Sequence, residues 1–323
     1  MRQIASITQI PGIKAANYTN AEAGTGCTVI ICPEGATGAV DVRGGAPATR
    51  ETDLLRPEET VQILNAVVLS GGSAYGLAAS CGVAEELERH GIGLDVGVGV
   101  VPIVSGACVF DLACGAPDVR PTAENGAEAT RKALANEGEP LERGCVGAGT
   151  GCTVGKLGGP ELTMKSGLGE DVECAGELVC GAVSAVNACG DVVDPETGKP
   201  IAAMRTPDGK GLGNTVEALL AMQAKMPLSR TNTTISCVVT NAKLTKAQAT
   251  KVAQMSADAY AHAIRPTHST NDGDTIFVMA TGKVDAPVDI VGALATRALE
   301  RAIADGAKSA TSMFGLPAAS DLK

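Results

Sequence analysis

The stretch P-L-S-R-T-N-T-T-I-S-C-V-V-T-N-A-K-L-T-K, residues 227–246, places two threonines after an asparagine at the mouth of a β-branched run. I-S-C-V-V-T at 235–240 reads as a buried strand, because β-branched side chains suit a pleated, covered surface. One reading of the threonines is structural, since threonine favours strands. The other is chemical: Asn232–Thr233 is a bond that the chain cuts in itself. A threonine hydroxyl is a weak nucleophile until a base takes its proton, and an α-amine on the same residue can serve as that base. An internal threonine has only an amide there, so activation requires breaking the preceding bond.

Working outward, the chain alternates strands with helices. C-T-V-I-I-C at 27–32, G-A-V-D-V-R at 38–43 and T-V-Q-I-L-N-A-V-V-L at 60–69 read as strands. Ser73 then caps a helix with Leu77, Cys81, Ala84 and Leu87 on one face and Gly91 at its end. Strand-like segments continue at 97–104, 145–156 and 178–187, the last with the composition of a fully buried strand. Residues 195–212 are rich in turn formers, a helical pattern follows, and M-P-L-S-R-T-N forms an exposed connector. After the 235–240 strand, T-K-A-Q at 245–248 opens a helix through a capping box, with Val252, Met255, Ala259 and Ala263 as its buried face and Pro266 as its stop. T-I-F-V-M-A-T at 275–281 and an amphipathic helix ending near Gly306 complete a single α/β domain of layered sheets covered by helices.

Composition bounds the function. The chain has 323 residues, 45% apolar and 19% charged, which suits a well-filled globular core. Its formal charge is −10 with no basic stripe, and three Tyr, three Phe and no Trp offer little for base stacking, so no nucleic-acid partner is expected. No apolar run reaches the length of a membrane span, and the N-terminus lacks a secretory pattern. A cytoplasmic protein with no membrane partner follows. The eleven cysteines form no C-x-x-C pair, and His90, His262 and His268 lack ligand spacing. Small buried hydrophobes account for the cysteines, and no metal or other cofactor is expected.

G-G-S before a helix suggests a nucleophile elbow, but Tyr75 stands where G-x-S-x-G needs glycine. The run 144–159 contains Lys156 followed by leucine, which breaks the phosphate-loop pattern and leaves tight turns as the reading. Asp272 and Asp274 flank Gly273 just before a strand, and alternation sends both carboxylates toward one side.

The segments V-D-V-R-G-G-A-P-A-T-R-E-T-D-L-L (40–55), L-S-G-G-S-A-Y-G-L (69–77), V-P-I-V-S-G-A-C-V-F-D-L (101–112), M-K-S-G-L-G (164–169), A-V-N-A (185–188), T-N-T-T-I (231–235) and N-D-G-D-T (271–275) together resemble the DmpA-type aminopeptidases. That family includes L-aminopeptidase/D-esterase, β-peptidyl aminopeptidases and nylon-oligomer hydrolase. The resemblance implies an αββα sandwich shared with ornithine acetyltransferases and layered like the N-terminal-nucleophile hydrolases. It implies self-cleavage into fragments 1–232 and 233–323, which stay together and assemble as a homo-oligomer of processed pairs. Thr233 would be the nucleophile, with Thr234 one position beyond the cut. Asn187 would stabilise the oxyanion, Lys165 would sit near the new amine with Lys156 as second choice, and Asp272 and Asp274 would orient the nucleophile and amine. Phe110 stands where some members carry a tyrosine hydroxyl, and Ser105 where a proline is usual. The implied substrate is a small peptide or amide, whose free amine the acidic pair Asp272 and Asp274 near the nucleophile would hold. The alternatives are an acyltransferase of the ornithine acetyltransferase type, a hydrolase of ω-amino-acid oligomers, or a binding protein that never cleaves.

Overall fold

The structure is a computed structural model describing residues 4–222 and 232–322. Except for Asn232, the connector expected at 226–232 lies outside the described residues.

Among the described residues nine strands are hydrogen-bonded together, eight of them in one path: β1 (Lys14–Asn20), β2 (Thr25–Val42), β3 (Thr49–Arg50), β4 (Leu64–Ser70), β5 (Val104–Cys108), β6 (Leu168–Ala175), β7 (Leu178–Asn187), β8 (Thr233–Ala242) and β9 (Thr275–Val284). The order is β6-β7-β8-β9-β2-β4-β5-β3, with β1 added to β2. The helices are α1 (Ala79–Arg89), α2 (Ala123–Ala135), α3 (Thr215–Met222), α4 (Lys246–Ser256), α5 (Asp258–Ala263) and α6 (Val288–Lys308).

β2 makes the path double back on itself. The sequence suggests two strands here, yet one 18-residue strand runs through both segments. Its first half pairs with β4 and its second half with β9, and the register shifts between Ile31 and Ala36. Pro33 occupies that irregular stretch, where a missing N–H is tolerated. The halves therefore belong to two stacked sheets. Ile30, Val67 and Leu69 from one sheet pack against Val183, Ile235, Val239 and Phe277 from the other. The outer face of the first sheet, with Val29, Ile31 and Val68, meets Val83 and Leu87 of α1 and Ala129 and Ala133 of α2. The outer face of the second meets α4, α5 and α6, where Val291, Ala295, Ala298, Leu299 and Ala302 form a stripe at helical spacing. Four layers result, α-β-β-α, as the sequence implied.

Local departures have local causes. Ser73 does not cap α1: Gly72, left-handed at φ 83°, precedes a 3-10 turn at Ser73–Ala78. The tighter turn shifts the helical phase, so Ala79, Val83 and Leu87 are buried while Cys81 points outward. The capping box at Thr245 and Gln248 forms as expected, although the helix breaks at Ala257 into α4 and α5. Residues 145–156 are mostly turns and bends, with a 3-10 turn at Gly147–Gly149 and a two-residue strand at Thr153–Val154. The backbone there is packed so tightly that a Cβ on Gly151 would lie 2.2 Å from the Gly24 carbonyl oxygen. Seven of the eleven cysteines are buried and all are free thiols, as their apolar neighbours suggested.

The N-terminal segment is clipped onto β6 by a buried carboxylate. The Ser6 hydroxyl and the Ile7 N–H both donate to Glu170 Oε1, at 2.8 and 2.6 Å. Burial pushes Glu170 up to about 7, against the pull of those donors. The unfolded side chain loses its proton near the ordinary glutamate range, so stability falls as pH rises from there toward 7. Glu170→Gln should therefore raise Tm at pH 8 and leave it nearly unchanged at pH 4. An equal change at both values would contradict this account.

Candidate active site

Parallel pairing of β8 with β9 aligns their N-terminal ends, Ile235 opposite Thr275. The register continues backward into a bridge between Asn232 and Asp272. T-N-T-T and N-D-G-D, forty residues apart in sequence, thereby meet at one sheet edge. The Gly273 N–H donates to the Asn232 carbonyl oxygen at 3.0 Å. The Thr233 hydroxyl donates to the same oxygen. A Cβ on residue 273 would stand 2.8 Å from Thr233 Oγ1 and 3.0 Å from the Ala46 carbonyl oxygen, so only glycine leaves this approach open.

The two aspartates hold the strand mouth. The Thr234 N–H donates to Asp274 Oδ1 at 2.8 Å, while the Thr267 hydroxyl, the His268 N–H and His268 Nδ1 surround Oδ2 at 2.9–3.0 Å. His268 stacks on Tyr260 with ring centroids 5.2 Å apart, and the Tyr260 hydroxyl donates to the Thr234 carbonyl. Asp272 Oδ2 accepts from the Ser269 N–H at 2.6 Å. Burial, and then the charge of Asp274, push Asp272 above the usual carboxylate range.

On the other side of β8, antiparallel pairing sets Asn187, the last residue of β7, directly opposite Thr233. Both belong to the odd-numbered rows that face the inter-sheet core, as Val183, Ala185, Ile235 and Cys237 do. Asn187 Oδ1 accepts from the Thr153 N–H at 3.0 Å and from Lys156 Nζ at 2.8 Å, and its Nδ2 donates to the Phe110 carbonyl at 2.9 Å. Lys156 also donates to the Asn187 carbonyl at 2.9 Å. Burial lowers Lys156 to about 8, against nearby thiols and Asp272, which favour the cation.

Of the residues predicted from sequence, Asn187, Asn232, Thr233, Asp272 and Asp274 come together. Lys165 stands one shell behind them. Its fully buried ammonium donates to the Cys152 and Ser166 carbonyls at 2.9 and 2.8 Å. The Cys152 carbonyl belongs to the same peptide unit as the Thr153 N–H that fixes Asn187. Lys165 is thus joined to Asn187 through one peptide unit, whereas Lys156, the second choice, touches it directly. Phe110 contributes a carbonyl to Asn187 and its side chain to the adjoining cavity, with no hydroxyl at that position.

That cavity, about 360 Å³, is walled by Phe110, Leu157, Pro160 and Leu316 with Asp111, Lys156 and Asn232 among its polar groups. Sequence reasoning missed other contributors. The glycine-rich run read as turns supplies Gly151 and Thr153 beside Lys156, the second-choice lysine. His268, read from sequence only for metal-ligand spacing, holds Asp274. Asp111 was passed over at the end of an apolar run.

Comparison with known proteins gives the family and the fold. The model of peptidase family S58 matches residues 5–319. An uncharacterized aminopeptidase of Mycobacterium leprae is 41% identical, covering 97% of this chain and 92% of its own. A 6-aminohexanoate-oligomer endohydrolase of a Kocuria species is 28% identical over 86% of this chain and 75% of its own. Among solved structures, a Burkholderia β-aminopeptidase superposes with a TM-score of 0.67 at 20% identity, covering 99% and 92% of the two chains. The L-aminopeptidase D-Ala-esterase/amidase of Ochrobactrum anthropi, described as a variant of the Ntn-hydrolase fold, gives 0.68 at 18%, covering 97% and 88%. The fold is that of the Ntn-hydrolase-type aminopeptidases. The chain belongs to peptidase family S58.

Proposed function

We propose that this protein is a self-processing threonine aminopeptidase or amidase, cut between Asn232 and Thr233. The observation that carries the reading is the shared carbonyl: the Asn232 oxygen receives both the Thr233 hydroxyl and the Gly273 N–H. Attack by Thr233 Oγ1 on the Asn232 carbonyl carbon places negative charge on that oxygen, where the Gly273 N–H is already aimed. The C–N bond breaks, the nitrogen takes up a proton, and Asn232 becomes an ester on Thr233. Water then releases Asn232 as a carboxylate and leaves Thr233 with a free amine.

In turnover the new amine accepts the Thr233 hydroxyl proton, and the hydroxyl attacks the substrate carbonyl. Asn187, held by Thr153 and Lys156, is placed to donate to the developing oxyanion. Asp272 and Asp274 hold the backbone on either side of the nucleophile. Fragment 233–323 would carry β8 and β9, which lie between β7 and β2 of fragment 1–232 and pair with both. Separation would break two strand interfaces, so the fragments stay joined. We further place the processed pairs in a cytoplasmic homo-oligomer.

N-terminal sequencing of the smaller fragment tests the position of the cut. The expected read is T-T-I-S-C; any other start reassigns the nucleophile.

A pH dependence follows. An unperturbed α-amine titrates near 7.7–8.0, and a neighbouring cation lowers that value. Lys156 supplies that cation below about 8. The free base should therefore form below its ordinary range, and the acid limb of activity should lie below about pH 7.7. Lys156→Met removes the cation and should move that limb up toward about 7.7–8.0. A kcat–pH profile with an unmoved acid limb would refute the role given to Lys156.

A further inference from the structure

We propose that Asp111 anchors the free ammonium group of the substrate, so that the cavity takes acyl groups carrying an amine and a compact apolar side chain. This rests on the hydrolase reading above and assigns the recognition group within it. The sequence pointed to Asp272 and Asp274 for this task. In the structure neither lines the cavity, and their carboxylates are occupied by Ser269, Thr234, Thr267 and His268.

Asp111 is the carboxylate among the described residues that line the cavity. It is 3% exposed and rigidly held: Oδ1 accepts from the Gly72 N–H at 2.6 Å, and Oδ2 from the Thr25 hydroxyl at 2.7 Å. With about four acceptor directions in all, the carboxylate keeps capacity for an arriving donor. Two glycines make the seat, since a Cβ at 71 would fall 2.0 Å from Oδ2 and one at 151 would fall 2.6 Å from the Asp111 Cβ. The desolvation that raises Asp111 is opposed by the Thr25 hydroxyl, by the Gly72 and Asp111 backbone N–H groups and by the charge of Lys165. An arriving ammonium adds a second cation and a charge-assisted hydrogen bond in a dry site, where such bonds are strong.

The cavity's own cation orients the substrate. Lys156, fixed on Asn187, repels an ammonium and attracts a carbonyl oxygen. The amine is thus directed toward Asp111 and the reacting carbonyl toward Asn187. Phe110, Ala113, Leu157, Pro160 and Leu316 leave the remaining wall to an apolar side chain.

The test uses Asp111→Asn, which keeps the shape and the acceptor for Gly72. KM for alanine p-nitroanilide should rise roughly 10- to 100-fold with kcat within a few-fold, the effect of losing one hydrogen bond to a charged group. Calorimetry with n-butylamine reads the site independently of turnover. Wild type should bind it at least about tenfold more tightly than n-butanol, and the variant should lose that preference. An unchanged KM, or equal amine binding by both proteins, overturns the assignment. Should Asp111→Asn fail to fold, equal binding of n-butylamine and n-butanol by wild type overturns it instead. A wild type that prefers the amine yet never cuts itself or hydrolyses a peptide would refute the hydrolase reading and leave Asp111 standing.

Discussion

Thr233→Ala should accumulate as one 32.4 kDa polypeptide with turnover reduced at least ~10⁴-fold. The substitution removes the oxygen that contacts the Asn232 carbonyl and disturbs little else, because Thr233 is a small buried residue at a strand start. With no hydroxyl there is no acyl shift, no liberated amine and no nucleophile, so processing and catalysis fail together. Thr234→Ala is the control. Its hydroxyl lies buried without a hydrogen-bond partner among the described residues, and its contacts at the site run through the backbone to Asp274 and Tyr260. That variant should still mature. A Thr233→Ala protein that splits after residue 232 would transfer the role to another group.

Asn187→Ala should cost about 3–4 kcal/mol of barrier, a 10²–10³-fold loss in kcat at little change in KM, the effect of removing one preorganised oxyanion donor. The argument is geometric. Asn187 faces Thr233 across the strand pair, and its amide orientation is set by the Thr153 N–H and the Lys156 ammonium, both of which can only donate to its oxygen. Nδ2 is therefore the end turned away from them. Single-turnover kinetics on the matured variant would separate the loss in chemistry from any loss in binding. A variant impaired only in KM would make Asn187 a binding residue.

Much of this was readable in the chain. The apolar run at 178–187 and the β-branched run at 235–240 announced buried strands, and the Thr245–Gln248 capping box announced α4. T-N-T-T and N-D-G-D were both legible as strand mouths. What one-dimensional reading lacked was pairing. That β8 and β9 run parallel, so that Asp272 meets Asn232, is a property of sheet order, and periodicity does not encode it. The lysine assignment shows the same limit. Lys165 and Lys156 lie nine residues apart in one glycine-rich region, and only the backbone path determines which ammonium reaches Asn187 and which reaches the carbonyl behind it. The turns at 144–159 were recognised from glycine, but their packing into a cavity wall depends on close approach to Gly24 and Asp111, segments far away in sequence.

Intact-mass spectrometry of freshly purified wild-type protein examines the central claim most directly. The account predicts two masses of about 23 and 9 kDa that sum to the 32.4 kDa chain plus one water, with the smaller beginning at Thr233. A single mass of the full chain from a preparation that hydrolyses peptides would contradict it.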